Sequence, residues 1–333
     1  MSTVAPEQWG FLSGRVAALE GRFIRDDVMQ RMAALEDLND VFLAVSDTPY
    51  KEVFPIIEKL YEADSIITGV YRARLAEMAG NAPQPEVIGM LTAADMFRDF
   101  KSFLKNKLAG MQIPRGNGAA MPDVTWQRVL DGLKTDLPEF WSNAAATIRR
   151  EGEAQPGLLP QTIDLVLDSE YLIQQAATAQ SVGYPLIIEW AELELLTRGV
   201  EIIWRARTGG YDMPRLRKLF LRGELDTPLL RELIDLPVAD WPDRLRPSRL
   251  GPIVDDVFSR PEAERLTRYA KRCQDLVLGR LKAAKSVTFG PDRVFGYLHG
   301  LRIETWNLRL ILAGKVNKIS TKLLQARLRE QYV

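Results

Sequence analysis

The sequence predicts an all-α protein built from three similar helical bundles. Three observations lead there. Apolar residues recur at helical spacing over long stretches. In residues 58–78, for example, Leu60, Tyr61, Ile66, Ile67, Val70, Leu75 and Met78 share one broad face. Strict alternation among β-branched residues, the mark of a half-buried strand, is scarce. A helical pattern with a base at its ninth place also recurs three times, at separations of 100 and 108 residues.

Taken in order, the helix over 58–78 ends at the breaker GNAPQP (80–85), and a second helix follows. That helix carries the first copy of the pattern, Asp99 to Lys107, with Phe103 and Leu104 as its large apolar pair. The stretch 113–122 (IPRGNGAAMP) reads as a loop and the first domain boundary, with helix resuming over 124–133. Residues 152–160 read as another loop that opens a new helix, with Tyr171 in its middle. The second copy runs from Gly199 to Arg207, with Ile203 and Trp204 as its pair. Asp212 then precedes Pro214 and an amphipathic helix. An Asp at that place can accept a hydrogen bond from a free helix N–H, and Pro fits the first turn. The segment 236–249 holds three prolines and reads as the second boundary. Gly290–Pro291 breaks the last part between two helices, the first of which carries Tyr269. The second is a bulky apolar helix that ends in the third copy, Asn307 to Lys315, with Ile311 and Leu312 as its pair. Ser320 stands where it can cap a closing helix. Tyr61 and Tyr269 each lie 38 residues before their copy, whereas Tyr171 lies 28 before. The domain limits that follow are 1–118 (with the N-terminal helix), 119–240 and 241–333.

Composition narrows the functional classes. Of 333 residues, 46% are hydrophobic and 26% charged, and Lys+Arg and Asp+Glu both number 44. Zero net charge gives no argument for nucleic-acid binding. Cys273 is the only cysteine, so no intrachain disulfide forms, which fits a reducing compartment. The first ten residues lack the basic start and apolar run of a signal peptide. The best charge-free stretch, 171–188, contains Gln174, Gln175, Gln180, Gly183 and Pro185 and makes a poor membrane span.

Motifs for chemistry mostly fail. His299 is the only histidine, so a triad or a zinc site would have to use it, and its place on an apolar helix reads as packing. Cys273 sits at helical spacing among Tyr269, Leu276 and Val277 and reads as a small hydrophobe. Gly314-Lys315 lacks both the first glycine and the Ser/Thr of a phosphate loop, and Gly116-Asn-Gly118 lacks a third glycine and a preceding strand. A helical enzyme acting on diphosphate would resemble DDxxD. Asp26-Asp27 and Asp255-Asp256 are followed by Gln30 and Ser259, so both miss the last acid. The basic run LRKLFLR (216–222) could face acidic lipid, but reads as a solvated face because Glu224 and Asp226 follow. No catalytic residue, cofactor site or metal site is expected.

The polar residues of the third copy have a structural reading. Glu304, Asn307 and Arg309 can tie loops and neighbouring helices together by hydrogen bonds, as buried polar groups require. The other copies hold different residues at those places, so a triplicated active site is not implied.

At this point a resemblance is visible. The stretch from Gly296-Tyr297-Leu298 through Ile303-Glu304, Asn307-Leu-Arg309 and Gly314-Lys315-Val316 to Tyr332-Val333 resembles the C-terminal signature of one family. This is the C (or d) subunit of V-type and archaeal A-type rotary ATPases. Trp9-Gly10-Phe11-Leu12, Arg15 and Leu19 look like that family's opening helix, and Thr48-Pro49-Tyr50 like its Thr-x-Tyr. Leu196 and Gly199 depart from it, standing where the family's middle copy carries an acid and an Asn. The resemblance implies a funnel of three helical domains with approximate threefold character. It implies a noncatalytic central-stalk rotor part, cytoplasmic and peripheral to the membrane, with no span of its own. Its partners would be the central shaft subunits and the membrane ring of hydrophobic proteolipid subunits. Arg15, Tyr297, Glu304, Asn307, Arg309 and Lys315 would be its structural or interface residues. A free-standing helical adaptor is the competing reading, and the diphosphate enzyme ranks last. Repeats of 100 residues are longer than the roughly 34–47 of helical solenoids.

Overall fold

A computed structural model describes residues 4–46, 48, 50, 60–113 and 121–333, and among these there are sixteen α-helices and no strand. In chain order they are α1 (Gly10–Glu20), α2 (Asp26–Ala34), α3 (Leu38–Ser46), α4 (Leu60–Ala79), α5 (Pro85–Leu108), α6 (Asp123–Leu130), α7 (Phe140–Ala154) and α8 (Leu159–Val182). Then follow α9 (Pro185–Thr208), α10 (Met213–Phe220), α11 (Pro228–Asp235), α12 (Trp241–Leu245), α13 (Gly251–Phe258), α14 (Glu262–Leu281), α15 (Pro291–Val316) and α16 (Thr321–Arg327). The all-α class is as the periodicity predicts. The Gly116-Asn-Gly118 loop, Pro49 and the side chain of Tyr61 lie outside the described residues.

One local pattern occurs three times. A helix of 20 or 24 residues (α4, α8, α14) precedes a helix of 24 or 26 residues that starts on a proline (α5, α9, α15). Proline suits that start, because its missing N–H is unsatisfied there in any case. Each copy of the sequence pattern forms the end of the second helix.

By packing the chain divides into two compact units. The first comprises Met1–Leu91, Val182–Trp190 and Thr267–Val333. Its axis is α15, which is buried on nearly every side from Pro291 to Gly314, so its apolar residues do not fall into one stripe. Leu308, Ile311 and Leu312 pack with Met29 and Met32 of α2, Val41 and Val45 of α3, and Ile67 of α4. On α14 the buried residues Tyr269, Cys273, Val277 and Leu281 recur every four residues, and Cys273 is packed as a small hydrophobe.

The second unit comprises Thr92–Ser181 and Ala191–Leu266. Its core is aromatic. Trp141 lies 4.3 Å from Phe97 and 5.1 Å from Trp126, ring centre to ring centre, and Trp126 lies 4.5 Å from Phe100. Trp204 packs at 5.3 Å on both Trp241 and Phe258.

Two local expectations are corrected. Residues 152–160 are not an open loop. Gly152 lies inside α7 and Pro160 in the first turn of α8, with Gln155 and one tight turn between them. Gly152 serves packing, since a Cβ there would lie 2.6 Å from Leu159. The proline-rich 236–249, read as the second boundary, holds the short helix α12, with Pro242 in its first turn and Trp241 and Leu245 buried. Asp212 and Ser320 stand at the predicted helix starts, but neither side chain makes the capping bond. At Ser320 the backbone carbonyl already takes the Leu323 and Leu324 amides, both at 3.0 Å.

Candidate functional site

The six residues singled out in the sequence all fall in the first unit, and each meets a partner distant in the chain. Glu304 is 2% exposed on α15. One carboxylate oxygen accepts from the Ile24 amide at 2.6 Å and the other from the Tyr50 hydroxyl at 2.6 Å. Burial pushes its carboxyl up to about 7, against the two hydrogen bonds, which favour the ionised form. Tyr50 is raised well above the ordinary phenol range by its own burial and then by the charge of Glu304.

Asn307, 0% exposed, lies on the same helix. Its Nδ2 donates to the Arg329 carbonyl at 2.8 Å and its Oδ1 accepts from the Arg329 amide at 3.0 Å. One amide side chain thus completes both backbone groups of a residue that lies outside any helix. Lys315 donates to the Ala33 carbonyl at 2.6 Å, satisfying one of the last carbonyls of α2, and burial lowers its ammonium. Arg309 pairs with Asp64 of α4 in an exposed ion pair. Arg15 of α1 bonds Glu77 of α4 at 2.8 Å, and Arg74 pairs with the same carboxylate. Although burial opposes it, these two cations hold Glu77 below the usual carboxylate range. Tyr297 packs edge-on against Phe23 at 5.3 Å, and burial pushes its hydroxyl up to about 12.

Sequence reasoning missed the partners: Ile24, Tyr50 as a hydrogen-bond donor, Asp64, Glu77 and the Arg329 backbone. Separations as large as 280 residues leave no local signal. It named Tyr332 and Val333 but gave no path for residues 328–333, which form neither helix nor strand. The Glu330 amide donates to Asp275 of α14 at 3.0 Å and the Gln331 amide to Asp26 of α2 at 3.1 Å. Tyr332 is fully buried against α15 at Gly296 and Gly300. A Cβ would lie 2.9 Å from the Tyr332 hydroxyl at the first and 2.5 Å from the Tyr332 Cβ at the second.

The first two copies of the pattern put different groups at the place of Asn307. Asp99 accepts from the Trp126 indole at 2.8 Å and from the Met121 amide at 3.2 Å, a contact spanning 22 residues, as does Asn307 to Arg329. Gly199 makes no such bond. A Cβ there would lie 3.0 Å from Leu230, so the missing side chain admits a leucine.

The remaining candidates behave as structure. His299 is buried beside Trp190, and burial followed by the charge of Arg302 holds its imidazole well below its usual range, so it is neutral. On the basic run, Arg217 pairs with Asp235 at 2.6 Å, Lys218 with Glu151 at 2.8 Å and Arg222 with Glu170 at 2.8 Å. Asp27 pairs with Arg25 at 3.0 Å, and Asp255 with Arg246 at 3.1 Å. Among the described residues no group of three or more His, Cys, Asp or Glu is placed to hold a metal ion. No described helix is long and apolar enough to cross a membrane.

These contacts join the two ends of the sequence, the same stretches that carry the resemblance to rotary ATPase subunits. The profile of the ATP synthase (C/AC39) subunit family matches residues 12–327. The C subunit of the V-type sodium ATPase of Enterococcus hirae is 20% identical over 330 residues, covering 96% of this chain and 98% of that protein. With nearly its whole length matched, the chain belongs to the ATP synthase (C/AC39) subunit family.

Proposed function

We propose that this chain is the noncatalytic central-stalk rotor subunit of a V/A-type ATPase, joining the central shaft to the membrane rotor ring. Membership of the family makes it a V/A-type ATPase subunit. The rotor role is the finer reading, and the family match over residues 12–327 is the observation that carries it. In this reading the protein is peripheral, on the cytoplasmic face, and passes torque between ATP hydrolysis and ion flow. The physical features are compatible. Glu304, Asn307, Arg309, Lys315 and Arg15 are all engaged within the first unit. A torque coupler requires such internal ties, because slack between helices would absorb rotation. The threefold recurrence of a long helix followed by a proline-initiated one supports three similar domains, with limits at 1–118, 119–240 and 241–333.

The test is co-purification of the tagged protein from gently solubilised membranes, followed by intact-complex mass spectrometry. Recovery with a coiled-coil shaft protein and a small, very hydrophobic ring protein is expected. Recovery alone at low and high salt would overturn the rotor reading and leave a helical adaptor. In a deletion strain the soluble head should hydrolyse ATP without transporting ions.

A further inference from the structure

We propose that α2, α14 and α15 form a peptide-recognition groove, occupied in cis by residues 328–333, whose ligand class is a non-helical, aromatic-anchored peptide. The segment LREQYV has no helix or strand of its own. It is held as a bound peptide is held. Three successive residues are fixed through their backbones by side chains from three helices: Arg329 by Asn307, Glu330 by Asp275 and Gln331 by Asp26. Such bonds set register without reading sequence. Selectivity lies in two anchors. Leu328 is buried in the apolar cluster around Leu308 and Ile311. Tyr332 fits a seat floored by Gly296 and Gly300, one helical turn apart on the same face, and walled by Phe23 at 5.5 Å.

Gln331 supplies an independent observation. It is 0% exposed, yet neither polar atom of its side chain has a hydrogen-bond partner. The groove therefore encloses that position without recognising an amide, and an apolar side chain of similar length fits it better. The Tyr332 hydroxyl is likewise buried without a partner, so the groove reads Leu at the first place, an aromatic ring at the fifth, and an apolar or long residue at the fourth, while Arg329 and Glu330 are less enclosed. Tethering gives the strap a high effective concentration, so a free peptide competes only once the strap is cut.

The test inserts a protease site between Arg327 and Leu328 of the full chain and cleaves it after folding. Labelled LREQYV peptide is then added and its anisotropy followed. Saturable uptake is expected, at least ~10-fold weaker for the Tyr332→Ala peptide and no weaker for the Gln331→Met peptide. A nicked chain with native circular dichroism that takes up no peptide, or takes the Tyr332→Ala peptide equally well, overturns the proposal. If cleavage unfolds the chain, hydrogen exchange on intact Tyr332→Ala decides. Lost protection confined to amides 329–331 supports a ligand-like strap. Unchanged protection there, or loss throughout α15, refutes it.

Discussion

Asn307→Ala should destabilise the first unit strongly while touching no partner surface. The side chain is fully buried and makes two bonds, at 2.8 and 3.0 Å, to one backbone residue. Removing it leaves the Arg329 amide and carbonyl without that partner. Each buried orphan costs about 1–3 kcal/mol, and partial relaxation of the strap toward water brings the net loss to ~3 kcal/mol. At ~2–4 °C per kcal/mol for a unit of this size, the melt should fall by ~6–12 °C. Asn307→Asp should be no milder, because it keeps the acceptor but loses the donor and sets a charge against the Arg329 carbonyl. The assay is thermal and urea unfolding followed by circular dichroism, with hydrogen exchange at residue 329 as the local readout. A melt unchanged within ~1 °C beside a large loss of complex assembly would refute the reasoning.

Three further outcomes are expected. The folded-state carboxyl of Glu304 is raised to about 7 from its ordinary 4.5, so its folded form binds the proton more tightly than the unfolded one. Its contribution is present below the unfolded value and is lost as pH rises through about 7, costing ~3 kcal/mol when fully ionised. Asp292, raised by burial to about 6, acts in the same direction, whereas His299 opposes both below its usual range. Urea midpoints of wild type and Glu304→Gln at pH 6 and 8 isolate the Glu304 share, and an identical pH slope in the two proteins would contradict it. Gly300→Ala should cost ~1–3 kcal/mol, because the new Cβ meets the root of Tyr332, and Gly314→Ala should cost less, because it meets the mobile end of Leu324. The reverse order of urea midpoints would disprove that account. Arg309→Ala removes only an exposed ion pair, so the unfolding free energy from urea titration should change by less than ~1 kcal/mol.

Which features the sequence revealed follows from the range of the forces involved. Helices are local, so the periodicity over 58–78 found α4, and GNAPQP marked the gap between α4 and α5. Glycine was misleading where its purpose was contact. Gly152 reads in sequence as a helix breaker, yet it sits in α7 to admit Leu159, and the two uses leave the same letter. Ser320 was placed correctly as a helix start, but the sequence could not tell that its own carbonyl would take the Leu323 amide, which its hydroxyl could have capped. The polar cluster on α15 was legible as a set of groups needing partners. The partners were not, because Tyr50 and Glu304 are 254 residues apart and Arg309 and Asp64 are 245 apart.

A polar residue in an apolar helix is tolerated where it completes backbone that no secondary structure completes. Asn307 does this for Arg329, and Asp99 does it for Met121, each 22 residues downstream. In both cases chain outside any helix runs past a long helix, and a side chain of that helix takes its part-buried amide. A carboxylate suffices at Asp99, where the acceptor serves two donors, the Met121 amide and the Trp126 indole. At Arg329 the carbonyl also needs a partner, which only the amide of Asn307 can supply. At Gly199 Leu230 fills the space in place of a polar side chain. The residue type at this recurring position thus goes with what meets the helix: two donors stand against an acid, a whole peptide group against Asn, and an apolar side chain against Gly. At Gly199 the departure of the middle copy goes with a change in what packs there, Leu230 in place of a polar side chain.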